Sequence, residues 1–383
     1  MKFLVLGGGA QGSAAAFDLV RRPSVEKVII ADQTVGNVRP FLRPFVESGR
    51  LEFTAIDAHD HGEVREVMEG VDAVVCGLPY YFNYDMAELA VESDCHYCDL
   101  GGNTEIVERQ RGLHDEAKRR GLSIMPDCGL APGMVNILAQ AGIDHFDETA
   151  SVKIRVGGLP QEPRPPLNYQ IVYSMEGVLD YYTTLSVVLE DGKLVQKKAL
   201  SELEDVDFPE PVGMLEAFHT AGGISTMPYR YQNQIPHMEY KTLRYPGHAR
   251  IMEAVRELGL LSLDPVEIDG NKVVPRDFFI RVVSPRLRAP RGHDLVALRV
   301  EVEGSKAGKS GGVRFDLLDY YDADHGVTAM MRTTGYSLAI TSLMQVDGRV
   351  TEHGVTTPDE GMPAEPYIEE LAGHGINIEK SVT

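Results

Sequence analysis

The stretch that most constrains this chain is GGGAQG at residues 7–12, directly after the apolar run FLVL and directly before the small residues Ser13 to Ala16. Gly7, Gly9 and Gly12 supply the pattern G-x-G-x-x-G. Its first glycine allows a tight turn, its second lets backbone approach a pyrophosphate, and its third permits close helix–strand packing. Phosphates would then lie at a helix N-terminus, where unpaired N–H groups and the helix dipole favour an anion. Such a loop alone is a weak signal, but Asp32 follows Gly12 by 20 residues and directly follows the next apolar run, KVIIA. Strand, loop, helix, strand and acid in that order point to a dinucleotide site. A carboxylate there accepts hydrogen bonds from a ribose 2′-hydroxyl and repels a 2′-phosphate; the nearest downstream arginine is Arg39, so NAD is expected over NADP. The expected cofactor contacts are Gly7, Gly9, Ala10, Gln11 and Gly12 of the loop, Asp32, Asp57, and Leu78 with Pro79.

The same texture continues through the first 140 residues. KFLVL (2–6), KVIIA (27–31), LEFTAI (51–56), DAVVCG (72–77), CHYCDL (95–100) and LSIM (122–125) read as strands, separated by helical stretches such as DHGEVREVMEG (60–70). Strands spaced by helices argue for a parallel sheet covered on both faces. After about residue 150 the pattern turns to period-2 alternation, as in SVKIRVGG (151–158) and DLVALRVEVEG (294–304). The expected fold is therefore α/β: a Rossmann-type doubly wound parallel sheet plus a second α/β domain with a mixed or antiparallel sheet. A late helix, TAMMRTTGYSLAITSLMQ (328–345), is expected to pack back on the first domain.

A length of 383 residues suits two domains of this kind. The balance of 37 basic against 57 acidic residues, net −20, disfavours nucleic acid or an anionic membrane as partner and leaves a small molecule. No run approaches the roughly 18 apolar residues of a membrane span. The N-terminal apolar segment breaks at glycine sooner than a secretory core of roughly 7–15 residues would, so no signal peptide is expected. Four cysteines fit a reducing cytoplasm. Cys95 and Cys98 form C-x-x-C without a second pair, which favours core packing, and no metal is expected; His59 and His61 suit a solvated helix start.

Ligands of parallel sheets bind at the carboxyl ends of the strands. That rule nominates Leu78 to Tyr81, Asp99 to Asn103, and the stretch PDCGLAPGM (126–134), which joins the last apolar run to the helix-like VNILAQAGI. In the second half, His219, Thr220 and Thr226 surround Gly222-Gly223, while Lys241, Arg244 and His248 concentrate positive charge in an acidic chain. Arg244 is suited to grip a carboxylate through two parallel hydrogen bonds.

PDCGLAPGMVNIL (126–138), YCDLGGN (97–103), PPLNY (165–169), SMEGVLDYY (174–182), LEAFHTAGGIST (215–226) and EYKTLRYPGH (239–248) together resemble the saccharopine dehydrogenase-like family, and within it the lysine 6-dehydrogenase branch. The likeness implies a Rossmann domain of residues 1–127 completed by 330–383, a substrate and dimerisation domain of 128–329, and a homodimer. It implies NAD-dependent oxidation of the lysine 6-amino group to an imine, hydrolysed to 2-aminoadipate 6-semialdehyde and ammonia, the semialdehyde then cyclising to piperideine-6-carboxylate. Hydride leaves the carbon only when the nitrogen lone pair is free, yet a lysine ammonium has pKa about 10.4. Asp127, Asp99 and Tyr81 are the candidate catalytic residues, the aspartates to hold and deprotonate the amine. Tyr80, Cys128, His219, Thr220, Lys241 and Arg244 are the candidate substrate contacts. Two alternatives stay open: an imine reductase of the saccharopine or carboxynorspermidine dehydrogenase type, and a non-catalytic NAD sensor on the same fold.

Overall fold

A computed structural model describes residues 1–36, 38–288 and 293–383. The first six apolar runs form β1 (Lys2–Leu6), β2 (Lys27–Asp32), β3 (Leu51–Ala55), β4 (Ala73–Cys76), β5 (His96–Asp99) and β6 (Ser123–Met125). The second half supplies β7 (Glu148–Pro160), β8 (Ser186–Glu190), β9 (Lys193–Lys197), β10 (Glu204–Asp207), β11 (Met214–His219) and β12 (His237–Arg244). It continues with β13 (Val266–Ile268), β14 (Asn271–Val273), β15 (Asp294–Lys306), β16 (Lys309–Tyr320), β17 (Gly354–Val355) and β18 (Glu379–Val382).

The first sheet runs β17-β6-β5-β4-β1-β2-β3, and every pairing in it is parallel. Its interior strand β1 is buried on both faces. Phe3 and Val5 join one core with the helix Ala10–Val20, while Leu4 and Leu6 join a second core on the opposite side. Cys98 and Cys95 likewise face opposite sides, so the C-x-x-C pair packs into two different cores.

The second sheet is mixed. Its order is β10-β11-β12-β7-β15-β16-β18, with β12 parallel to β7 and the other pairs of that path antiparallel. β13 and β14 close on Asp269 and Gly270, both at positive φ.

The chain crosses between the sheets at PDCGLAPGM and enters the helix Met134–Ile143. The late helical stretch does return to the first domain: Ser337–Val346 covers β4 and β5, where Gln345 Nε2 donates to the carbonyls of Tyr97 (3.0 Å) and Ser123 (3.1 Å). The end of the chain departs from the expected partition. β18 pairs with β16 in the second sheet, so the segment 330–383 does not lie wholly with the first domain.

Candidate active site

The glycine loop has the shape its spacing predicts. Gly7 holds φ +93°, a Cβ on Gly12 would fall on the Gly7 carbonyl oxygen, and Gly9 faces open space. The helix Ala10–Val20 starts with no side-chain cap and no acidic residue in its first turn, which leaves its N–H groups available to an anion. Asp32 accepts from the Gly8 amide at 2.7 Å and the Thr34 amide at 2.8 Å, which fixes its carboxylate at the end of β2. Asp57 lies beyond β3, exposed, accepting from Gln33 Nε2 at 3.2 Å and the His59 amide at 3.0 Å. Leu78 packs beside Gly7, Pro79 follows it on the surface, and Gln11 faces the cleft between the domains. These residues fit a nicotinamide dinucleotide.

Two aspartates follow adjacent strands of the first sheet, with different surroundings. Asp99 is fully buried and accepts from Gly101 N–H (2.7 Å), Gln110 Nε2 (2.7 Å) and Asp127 N–H (3.3 Å). Burial raises its pKa against those bonds. Like Asp127 it lines neither cavity of the cleft, but its acceptor capacity is spent on shaping the loop. Asp127 is equally buried but neither carboxylate oxygen has a hydrogen-bond partner. Its backbone sits at φ +64°, and Gly101 lies so close that a Cβ there would strike Asp127 Oδ1. Burial, helped by the charges of Asp99 and Asp359, pushes its pKa up to about 7; Ser225 and the Gly102 amide lie beside it and pull the other way without making a hydrogen bond of normal geometry. A carboxyl group titrating near neutrality is suited to take and return a proton.

The cleft above Asp127 holds two adjoining cavities of about 460 Å³ and about 240 Å³, which share Gly101, Gly102, Tyr181, Ala221, Gly223 and Tyr240. Gly222 and Gly223 are required by close approach, because a Cβ on either would run into the rings of Tyr181 or Tyr240. Burial pushes the Tyr181 phenol up to about 12 and raises that of Tyr240, so both stay protonated. Thr220 bonds Thr242 hydroxyl to hydroxyl at 2.7 Å and lines the larger cavity.

Arg244 lines the smaller cavity from the end of β12. It is 3% exposed, and among the described residues no carboxylate lies within ion-pair distance of it. Its Nε donates to Tyr182 Oη at 3.2 Å, and the guanidinium carbon lies 4.9 Å from the Tyr169 ring centroid. Tyr182 in turn reaches His248 Nε2 at 2.9 Å, while His248 Nδ1 lies 3.0 Å from the Leu167 carbonyl. Burial and then the Arg244 charge push His248 down to about 3, so it is neutral: Nδ1–H donates to Leu167 and Nε2 accepts from Tyr182. A buried guanidinium held by neutral groups is an unanswered positive charge, and a carboxylate is its natural complement.

Of the other expected substrate contacts, Thr220 and Tyr80 line the adjoining cavity, whereas Lys241, His219 and Cys128 are not brought together with it. Strand side chains alternate, so Lys241 faces away from Arg244, toward Glu204 (3.6 Å) and Glu239 (3.7 Å). His219, its register partner, lies 3.2 Å from Glu202 and borders a different cavity. Cys128 does not point at the cleft either: its thiol is buried against the Met125 carbonyl at 3.1 Å. Tyr80 lines the larger cavity, whereas Tyr81 is 58% exposed and packs on Phe82 outside it. Tyr181, Tyr240, Thr242 and Ser225 were not among the site residues expected from the sequence. The parity of β12 was the one available cue, since Tyr240 and Thr242 share the face of Arg244. Among the described residues no group of three or more His, Cys, Asp or Glu is arranged to hold a metal, and no helix is long and apolar enough to cross a membrane.

Residues 3–125 match the saccharopine dehydrogenase NADP binding domain, and residues 129–376 match the saccharopine dehydrogenase C-terminal domain. Relatives span nearly the whole chain. The NADP(+), L-glutamate-forming saccharopine dehydrogenase of Schizosaccharomyces pombe is 22% identical, covering 99% of this chain and 98% of its own. A carboxyaminopropylagmatine dehydrogenase of Synechocystis sp. is 24% identical, with 98% and 96% covered. The apo L-glutamate-forming saccharopine dehydrogenase of Saccharomyces cerevisiae superposes with TM-score 0.82 at 20% identity, over 100% of this chain and 99% of its own. A homospermidine synthase of Legionella pneumophila, solved with NAD, gives TM-score 0.64 at 11% identity, over 100% and 91%. The chain belongs to the saccharopine dehydrogenase family, whose nucleotide-binding and C-terminal domains it carries in order, and it is an oxidoreductase working at an amine or imine.

Proposed function

We propose that this chain oxidises the side-chain amine of an amino acid bearing one carboxylate, with L-lysine as substrate and NAD as hydride acceptor. The observation that carries this reading is the charge count of the cleft. Among the described residues lining the two cavities, Arg244 is the one cation, and the one carboxylate, Asp180, is itself paired with Arg276. Saccharopine carries several carboxylates, and each one desolvated without a partner would cost free energy. A lysine needs one.

When bound, the nicotinamide supplies the hydride acceptor. The chain's own residues do the rest. Arg244 fixes the α-carboxylate, its fork aimed by Tyr182 and the neutral His248. Tyr181 and Tyr240 wall the aliphatic chain and keep out water. Asp127 takes the proton that frees the amine lone pair. Asp32 favours a free ribose 2′-hydroxyl, so NAD is preferred although the S. pombe relative is named for NADP(+).

A second reading is favoured by the relatives: reduction of an imine joining an amine to a carboxylated partner. A carboxyalkyl polyamine of this kind, as in the name of the Synechocystis relative, also satisfies a single cation. The test is NADH or NADPH absorbance with purified protein and a panel of amines. Turnover of L-lysine with NAD, releasing ammonia, is expected at alkaline pH. Silence with lysine alone, together with NADH or NADPH consumption on mixing L-glutamate with 2-aminoadipate 6-semialdehyde or lysine with 2-oxoglutarate, would replace the first reading by the second. The homodimer implied by the family likeness and the cytoplasmic setting expected from the cysteines stand as proposals for sedimentation and fractionation.

A further inference from the structure

The proposed reaction needs Asp127 to exchange a proton with the substrate, yet Asp127 itself lines neither cavity. Ser225 does line the larger one, and its hydroxyl lies beside the Asp127 carboxylate. The serine stands between the buried acid and the cleft. Its Oγ is buried without any hydrogen-bond partner, as are both oxygens facing it. Unpartnered buried polar atoms are rare, and two such groups set against each other are a cost that a passive scaffold has no reason to keep.

The backbone supports the same pairing. Asp127 and Ser225 are both held at positive φ, +64° and +46°, a region that side chains other than glycine seldom adopt. Each comes from a different domain, and the contact is pinned from two sides. Asn136 Nδ2, from the helix that follows the crossing, donates to the Ile224 carbonyl at 3.1 Å. Gly222 and Gly223 let the same loop press against Tyr181 and Tyr240.

We propose that Ser225 is the relay that carries the substrate's proton to Asp127. The proton on the substrate nitrogen passes to Ser225 Oγ as the Ser225 hydroxyl proton passes to a carboxylate oxygen of Asp127. Serine ends neutral, Asp127 ends as the carboxylic acid, and the nitrogen lone pair is free. In the reverse direction the two transfers run backward. This rests on the reading of Asp127 as the proton acceptor. The charged and titratable groups facing Asp127 are Asp99 from β5, Asp359 from the short helix Pro358–Gly361, itself paired with Arg230, and Tyr181 from the helix Met175–Thr183. Both acids act on Asp127 through charge, disfavouring its carboxylate form, and neither bridges Asp127 to the cleft.

The test is Ser225→Gly, which removes the hydroxyl and suits the left-handed backbone, with Ser225→Ala as a second variant. Both are measured in the full chain with NAD and L-lysine, or with whichever amine of the panel supports hydride transfer. The expected result is a fall in kcat of about 30-fold or more, with KM for NAD within about twofold. Imidazole or formate added to the assay should restore part of the rate in proportion to concentration, and the limb near pH 7 should shift or vanish. Asp127→Asn separates the two claims. If it is inactive while both serine variants keep the wild-type rate and pH profile, the relay is wrong and the acid stands. If Asp127→Asn is itself near wild type, the underlying reading fails. A rate loss in the serine variants without buffer rescue, with the pH limb in place, would make Ser225 structural and also overturn the relay.

Discussion

Lys241 and Arg244 lie three residues apart on β12, and the two faces of that strand treat positive charge in opposite ways. The outer face meets Lys241 with Glu204 and Glu239, and its neighbour Arg155 with Glu204 and Glu301. The cleft face surrounds Arg244 with tyrosines and a neutral histidine and gives it no carboxylate within ion-pair distance among the described residues; its register partner Glu216 instead accepts from the amides of Gly247 and Ala249. The same contrast recurs between Asp99, whose acceptors are filled, and Asp127, whose oxygens have none. Where charge is answered inside the protein it holds the fold. Where it is left unanswered beside a cavity, the answer is expected from a ligand.

The strongest way to break this comparison is to delete Arg244. Arg244→Met is expected to raise KM for the amino acid by about 10²–10³, as for removing one partner of a desolvated charge pair, with NAD affinity unchanged. An unchanged KM in steady-state assays would remove Arg244 from the site.

The two aspartates should differ in sign. Asp127 titrates at about 7 folded against 3.8 for an unshifted carboxyl. Its favourable contribution is therefore complete below pH 3.8 and is lost as pH rises to 7. Asp127→Asn should stabilise the ligand-free chain at pH 8, on the order of 3 kcal/mol, and the gain should vanish toward pH 4. Asp99→Ala should instead destabilise by about 2 kcal/mol, because buried donors lose their acceptor. Denaturant melts at the two pH values check both, and a destabilised Asp127→Asn at pH 8 would contradict the account.

Smaller effects sharpen the same picture. Asp32→Ser should shift the NAD-to-NADP ratio of kcat/KM toward NADP by about tenfold, on the order of 1 kcal/mol, through loss of ribose hydrogen bonding and of repulsion. No shift would mean that Asp32 does not discriminate. Lys241→Met should leave KM alone and cost about 1 kcal/mol or less of stability, since its ion pairs are long and Glu204 keeps Arg155. A KM effect as large as that of Arg244→Met would dissolve the distinction between the faces.

Much of this molecule was legible before its structure. Period and glycine placement are local signals, so six of the seven strands of the first sheet, the loop at Gly7 to Gly12 and the acid at Asp32 all stand where the sequence put them. The late helix was also readable, although its turn at Arg332–Tyr336 widens to a π-helix that presses Gly335 onto the first cofactor-loop helix. What failed was direction. Lys241 and His219 carry suitable chemistry, but a strand sends alternate residues to opposite faces, and which face meets the cleft is decided by pairing across the sheet; Cys128, in the loop after β6, turns its thiol back to the Met125 carbonyl. Asp99 and Asp127 looked equivalent because nothing in the sequence says which one Gln110 and Gly101 would satisfy. Ser225 and Tyr181 emerge only when two segments about 40 residues apart close on a strand from the other domain.

The central claim is that an unpartnered, near-neutral Asp127 takes the substrate's proton. It is tested most directly by the pH dependence of kcat/KM for L-lysine with NAD, in the wild type and in Asp127→Asn. The account predicts a wild-type limb near pH 7, and a variant that still binds NAD but is slower by about 10²–10⁴ with that limb gone. A variant within a few-fold of wild type, with the limb intact, would contradict it.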